Sequence, residues 1–186
     1  MLEKRWSIFK SGSDIRGFGI SCGSEPLYLS DEVISQITYG FALWLSQKIN
    51  KSYDELIVSV GHDSRLSAPH IKKYVINTLS SLGIHVIDCG LSSTPAMFMT
   101  TVDLKCSGAM QITASHHPYD RNGLKFFTRA GGLEGSNIDE ILEFAQNERF
   151  TPIGEPSEVE PVDYMNTYAA NLREMICREV NDTDYF

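Results

Sequence analysis

Residues 113–125 read Thr-Ala-Ser-His-His-Pro-Tyr-Asp-Arg-Asn-Gly-Leu-Lys, which puts a hydroxyl (Ser115), two imidazoles (His116, His117) and an amine (Lys125) within eleven residues. The stretch leaves an apolar, strand-like run at 107–112 and enters another at 124–128. A loop fixed between two buried strands is a common place to display reactive groups. Ser115 could serve there as a nucleophile activated by a nearby base. His116 and His117 are adjacent, so their rings cannot both lie beside it. Asp63, Arg65, Arg16 and Lys125 are candidate partners from other parts of the chain. Ser115 sits in Ala-Ser-His rather than in a Gly-x-Ser-x-Gly elbow, which weighs against acyl transfer. The same residues also suit a polar surface turn, with Asn122-Gly123 making the tight bend.

The elements that must position this loop follow from patterning. Ser30 caps a helix whose first turn carries Asp31 and Glu32 and whose apolar face is Val33, Ile34, Ile37, Phe41, Trp44 and Leu45. Residues 56–61 and 84–89 are short, β-branched strands. A helix over 68–82, with Ser67 as cap, Pro69 in its first turn and Gly83 after its end, lies between them. Ser93-Thr94-Pro95 repeats the cap-then-proline signal before a helix to about Val102. After strands 107–112 and 124–128, Ser136 or Asn137 caps a helix over 138–148. Alternation of strand and helix predicts an α/β fold, a three-layer αβα sandwich on a mixed, mostly parallel sheet. The loops 61–65, 90–95 and 113–122 should then meet at the carboxyl ends of the strands, where ligands collect in such sheets.

Residues 1–154 read as one domain. Residues 155–186 read as an acidic linker and helix, with apolar residues Met165, Tyr168, Ala169, Leu172, Met175 and Ile176 at helical spacing. This tail carries −6 of the chain's net charge of −8, which leaves −2 on the rest. An acidic chain without a basic stripe argues against binding nucleic acid through phosphates. No apolar run reaches the roughly 18 residues of a membrane span, and the N-terminus lacks a signal-peptide core, so a cytoplasmic protein without a membrane partner is expected. The scattered Cys22, Cys89, Cys106 and Cys177 form no Cys-x-x-Cys pair and read as free thiols.

The run Thr113-Ala114-Ser115-His116-His117-Pro118, with Asn122-Gly123-Leu124-Lys125, resembles the active-site loop of the α-D-phosphohexomutases. Three further stretches agree in order: Ser13-Asp14-Ile15-Arg16-Gly17, Gly61-His62-Asp63-Ser64-Arg65 and Ser93-Thr94-Pro95. The likeness covers about residues 8–150. His117 stands where the family usually has Asn.

That resemblance implies a phosphoserine at Ser115 that gives its phosphoryl group to a hexose phosphate. A hexose 1,6-bisphosphate would form, and the other phosphate would return to Ser115, so phosphate moves between C1 and C6. Arg16 would contact the phosphoserine, Lys125 would act as general base and His116 would bond the site or the substrate. His117, Asn122 and Arg65 would contact substrate. Mg²⁺ would bind through the Ser115 phosphate, with its other ligands from an absent domain, and glucose 1,6-bisphosphate would act as activator. The family's later motifs, such as its Asp-Gly-Asp-Gly-Asp-Arg metal loop, do not occur in this sequence. The chain then reads as the first domain of a longer mutase of phosphomannomutase or phosphoglucomutase type, nearly inactive alone, with the remaining domains as its partners. The alternative is a non-catalytic module that binds sugar phosphates.

Overall fold

Period-two alternation along the central strands sorts the core onto the two faces of one sheet. The computed structural model describes residues 2–20 and 28–181. Its strands are β1 (Lys10–Ser11), β2 (Asp14–Phe18), β3 (Ile57–His62), β4 (His85–Leu91), β5 (Gly108–Ile112), β6 (Arg121–Thr128), β7 (Gly131–Gly132) and β8 (Val159–Pro161). The helices are α1 (Lys4–Ser7), α2 (Asp31–Ile49), α3 (Ala68–Ser81), α4 (Thr94–Asp103), α5 (Gly135–Asn147) and α6 (Tyr164–Asn181). Strand order is β1-β2-β6-β5-β3-β4-β8, with β7 beside β6. Strands β5, β3, β4 and β8 run parallel, while β6, β2 and β1 continue the sheet antiparallel.

Val58, Val60, Val86, Met110 and Phe126 face one cluster, closed by Ile34, Ile37 and Phe41 of α2, Ile71 and Val75 of α3, and Ile138 and Ile141 of α5. Ile87, Cys89, Ala109 and Phe127 face the other, closed by Ala96 and Met97 of α4 and Tyr164 of α6. This is the expected α/β arrangement, with helices on both faces of a mixed sheet. Phe41 stacks on Phe126 with ring centroids 4.7 Å apart, both fully buried. Burial of each such ring stabilises the fold by about 2–3 kcal/mol.

Capping explains where the helices begin. The hydroxyl of Ser30 accepts from Val33 N at 3.3 Å, and that of Ser93 accepts from Ala96 N at 3.3 Å. Gly83, at φ +83°, follows the end of α3, as a C′ glycine does. Two expected caps differ. Ser67 makes no cap bond, because its hydroxyl accepts from the buried Asn122 amide at 2.8 Å instead. Helix α5 starts earlier than expected, with Glu134 as its cap residue; Asn137 Oδ1 accepts from Glu134 N at 3.0 Å.

The expected linker at 155–161 is partly structure. Ser157 N donates to Ser80 O at 2.9 Å, and Val159–Pro161 adds a parallel edge strand to β4. An edge strand tolerates Pro161, which has no N–H to donate. Helix α6 then begins with Tyr164 fully buried, its hydroxyl donating to Asp103 Oδ2 at 2.6 Å. Further along, Leu172, Met175 and Ile176 are exposed. Cys89 and Cys106 are buried free thiols and Cys177 is an exposed one, while Cys22 lies outside the described residues.

Candidate active site

The loop after β5 turns sharply at Ser115. Thr113 Oγ1 accepts from Ser115 N at 2.9 Å, and His117 N donates to Ala114 O at 3.0 Å. Ser115 adopts φ +56°, a left-handed conformation that disfavours residues with a Cβ. Something must hold it there, and Arg65 does. Its guanidinium donates to Ser115 O at 2.9 Å, His117 O at 2.7 Å, Pro118 O at 2.6 Å and Arg121 O at 2.9 Å. Its Nε donates to Asp63 Oδ2 at 3.3 Å. Every donor of the fork is thus engaged, so Arg65 fastens the loop while also lining the cleft beside Ser115.

One expectation changes. Asn122 and Gly123 lie inside β6 rather than at a bend. Asn122 is fully buried, its Nδ2 donating to Ser67 Oγ and its Oδ1 accepting from Gly123 N, so it anchors the loop's return. Gly123 is needed for close approach, because a Cβ there would collide with Ile15 O and the Arg16 side chain.

That space lets Arg16 cross the sheet surface. Its Nη1 donates to the Thr113 carbonyl and its Nη2 to Asp14 Oδ2 at 2.6 Å. Burial pushes the Arg16 guanidinium below its ordinary pKa, with Asp14 opposing the shift. Lys125 Nζ donates to the other oxygen of the same carboxylate, Asp14 Oδ1, at 2.6 Å. Asp14 is therefore shared by two cations.

Ser115 Oγ lies 3.3 Å from His116 Nδ1, and the two imidazoles stack with centroids 5.1 Å apart. Desolvation, then His116 and the charges of Arg16, Arg121 and Arg65, hold the His117 pKa below its ordinary value. The loops after β3, β4 and β5 do converge. Asp63 N donates to Ile112 O at 3.0 Å, Ser92 N to His62 O at 2.9 Å, and Gln111 Nε2 to Ser92 O at 2.8 Å. A cleft of about 540 Å³ opens among Asp63, Ser64, Arg65, Leu66, Ser115, His117 and Tyr119. Leu66 and Tyr119 are highly exposed at its rim, and sequence reasoning did not single them out. Among the described residues no helix is long and apolar enough to cross a membrane. No group of three or more His, Cys, Asp or Glu among them could hold a metal ion.

The α/β domain thus displays an exposed serine on a loop clamped by Arg65, with Arg16 bonded to the loop's Thr113 carbonyl. Residues 10–152 match the model of phosphoglucomutase/phosphomannomutase, alpha/beta/alpha domain I, and the chain belongs to that family. The phosphoglucosamine mutase of Nautilia profundicola is 29% identical over 150 residues, which cover 74% of this chain and 34% of that protein. The phosphoglucomutase of Neisseria meningitidis is 29% identical over 116 residues, which cover 62% of this chain and 25% of that protein. A solved phosphoglucomutase/phosphomannomutase family protein from Burkholderia thailandensis shares the fold, with a TM-score of 0.72 at 24% identity over 92% of this chain and 36% of that one. The chain thus spans about a third of the length of the Nautilia and Burkholderia proteins.

Proposed function

We propose that this chain is the phosphoryl-carrying part of a phosphohexomutase, with Ser115 as the carrier. The observation that carries this reading is the exposed serine held at φ +56° by a guanidinium engaged on four loop carbonyls. Backbone strain of this kind persists only where the surroundings over-determine it, and it concentrates at functional sites. In this reading phospho-Ser115 gives its phosphoryl group to the free hydroxyl of a hexose monophosphate, and Ser115 Oγ takes back the other phosphate of the resulting hexose 1,6-bisphosphate, so phosphate moves between C1 and C6. A phosphoserine carries about −1.5 to −2 charge at neutral pH. Arg16 and Lys125 supply positive charge on the β2–β6 side, and His116 lies within reach of the Ser115 hydroxyl for hydrogen bonding. Lys125 is the candidate for proton transfer with the sugar hydroxyl, and His117 faces the cleft where the sugar would lie. A hexose phosphate is the substrate class, and glucose 1,6-bisphosphate the priming donor.

Mg²⁺ belongs to this reading only in part. Near Ser115, Asp14 and Asp63 are already paired with Arg16, Lys125 and Arg65. The described residues therefore do not make a Mg²⁺ site by themselves, since the ion wants several oxygen ligands. A phosphate on Ser115 would add one, and the others would come from a further domain of the protein. The exposed stripe of α6 and the greater length of the relatives support such a domain, with α6 leading to it. A cytoplasmic setting suits the same reading.

Incubation with glucose 1,6-bisphosphate followed by phosphopeptide mass spectrometry tests the assignment. The phosphate is expected on Ser115, and Ser115→Ala should lower turnover of the protein at its natural length by about 10³-fold or more. Phosphate located on another residue, or turnover surviving in Ser115→Ala, would sink the reading.

A further inference from the structure

We infer that Asp14 is a positioning residue that holds Lys125 and Arg16 as one unit beside the Ser115 loop; the inference rests on the phosphoryl-transfer reading above. Antiparallel pairing of β2 with β6 sets Ile15 opposite Leu124 and Arg16 opposite Gly123. Continuing that register by one residue sets Asp14 opposite Lys125. Alternation along the strands puts Asp14, Arg16 and Lys125 on one face, the face opposite the fully buried Ile15 and Leu124. The juxtaposition is therefore written into the pairing of two strands and does not depend on a flexible loop.

The carboxylate uses one oxygen for each cation, at 2.6 Å to Lys125 Nζ and 2.6 Å to Arg16 Nη2. Asp14 and Arg16 are mostly shielded from water, with side chains 13% and 11% exposed. Charge-assisted bonds of this length are among the stronger ones. Asp14 has three consequences. It offsets the repulsion between two cations held side by side. It also limits the Lys125 stem, whose free rotamers cost up to about 2 kcal/mol to order. Finally, it fixes the plane of the Arg16 guanidinium, whose Nη1 grips the Thr113 carbonyl two residues before Ser115. Asp14 thus acts through Lys125 and Arg16, and sets where positive charge meets a phosphoryl group on Ser115. Misplacement of a catalytic group by about 1 Å can cost on the order of 100-fold in rate.

A double-mutant cycle in the protein at its natural length tests this. Asp14→Asn keeps the shape and removes the charge. It should lower kcat about 10- to 100-fold and leave KM for a hexose phosphate within about 2-fold, with Asp14→Glu recovering part of the loss. In a Lys125→Ala background, the same Asn substitution should cost less than about 3-fold more, because paired residues are not additive. A full multiplicative loss in that background, or an unchanged kcat in Asp14→Asn, would overturn the assignment. A second readout needs no activity: acylation of lysines by an activated ester, followed by mass spectrometry. In Asp14→Asn, Lys125 should label several-fold faster, while Lys72, paired with Asp88 at 2.7 Å, should label as before. If Lys125 labels at the wild-type rate, Asp14 does not hold it, whatever Ser115 does. If Lys125 responds but the unaltered protein never gains phosphate on Ser115, the positioning stands and the phosphoryl-transfer reading falls.

Discussion

The Ser115 loop and helix α6 both present side chains that the domain's own core leaves uncovered, but they do so in opposite ways. The loop exposes polar, reactive groups on an irregular backbone, and that backbone is over-determined: Arg65 reaches four of its carbonyls, Arg16 a fifth, and Thr113 caps Ser115 N. Helix α6 exposes apolar groups on a regular backbone that satisfies its own hydrogen bonds. Its first turn is fixed through Tyr164 and Asp103, and Asn171 Nδ2 also reaches Asp103 Oδ2 at 3.3 Å. Beyond that anchor Leu172, Met175 and Ile176 are 37%, 44% and 60% exposed. Fixed backbone beneath exposed polar groups points to chemistry at the surface. Contiguous apolar exposure on a regular element points to contact with another surface.

Removal of the loop's clamp should give the largest effect. Arg65→Ala leaves the carbonyls of Ser115, His117, Pro118 and Arg121 without their donor. A loss of about 2–4 kcal/mol in unfolding free energy is expected, since bonds from a charged donor contribute roughly 1.5–3 kcal/mol each and do not add. Arg65→Lys should recover little, because an ammonium cannot reproduce the planar fork. Denaturant unfolding measures the loss, and hydrogen exchange should show amides at 115–121 opening before those of β5. If 115–121 stayed protected in Arg65→Ala, the loop would be rigid for some other reason and the contrast with α6 would lose its basis.

The two ends of α6 should respond differently and more weakly. Tyr164→Phe removes one buried hydroxyl, the closer of two donors to Asp103 Oδ2, at a cost of about 1–1.5 kcal/mol. Ile176→Ser, on the exposed stripe, should stay within about 0.5 kcal/mol in this chain. Equal losses at the two positions would mean that the stripe is covered within the chain itself.

Much of this comparison was legible in sequence, for identifiable reasons. Helices α2, α3 and α4 follow from periodic apolar faces and from Ser30, Gly83 and Ser93, all local signals. Strands β3, β4 and β5 are largely buried apolar runs in the interior of the sheet. Strand β2 was not legible, since Asp-Ile-Arg-Gly-Phe is short and its pairing partner is β6, more than a hundred residues away. Strand β8 was hidden by prolines, which an edge position tolerates. At the site, the reactive loop and its cationic neighbours could be singled out by residue type, but their roles depend on tertiary contact. Asn122-Gly123 carries a local turn signal, yet here the amide is buried on Ser67 and the glycine clears a path for Arg16. The clamp that Arg65 makes was not legible because nothing in a sequence shows which carbonyls an arginine will meet.

The smallest effect concerns His117, the residue that differs from the usual Asn. Its pKa lies below the ordinary 6.5, because of desolvation, His116 and three nearby arginines. The unfolded chain then binds more protons than the folded one between that lowered value and about 6.5. Stability contributed by neutral His117 is thus complete above about pH 6.5 and declines as pH falls through that window. An NMR titration of the ring should give a midpoint below 6.5. Phosphorylation of Ser115 should move the midpoint up, because a nearby dianion favours the imidazolium. A midpoint that ignores the phosphate would place the ring outside the field of the site. His117 would then belong with the side chains of α6, exposed but unconnected to the serine, although it lies only two residues from it.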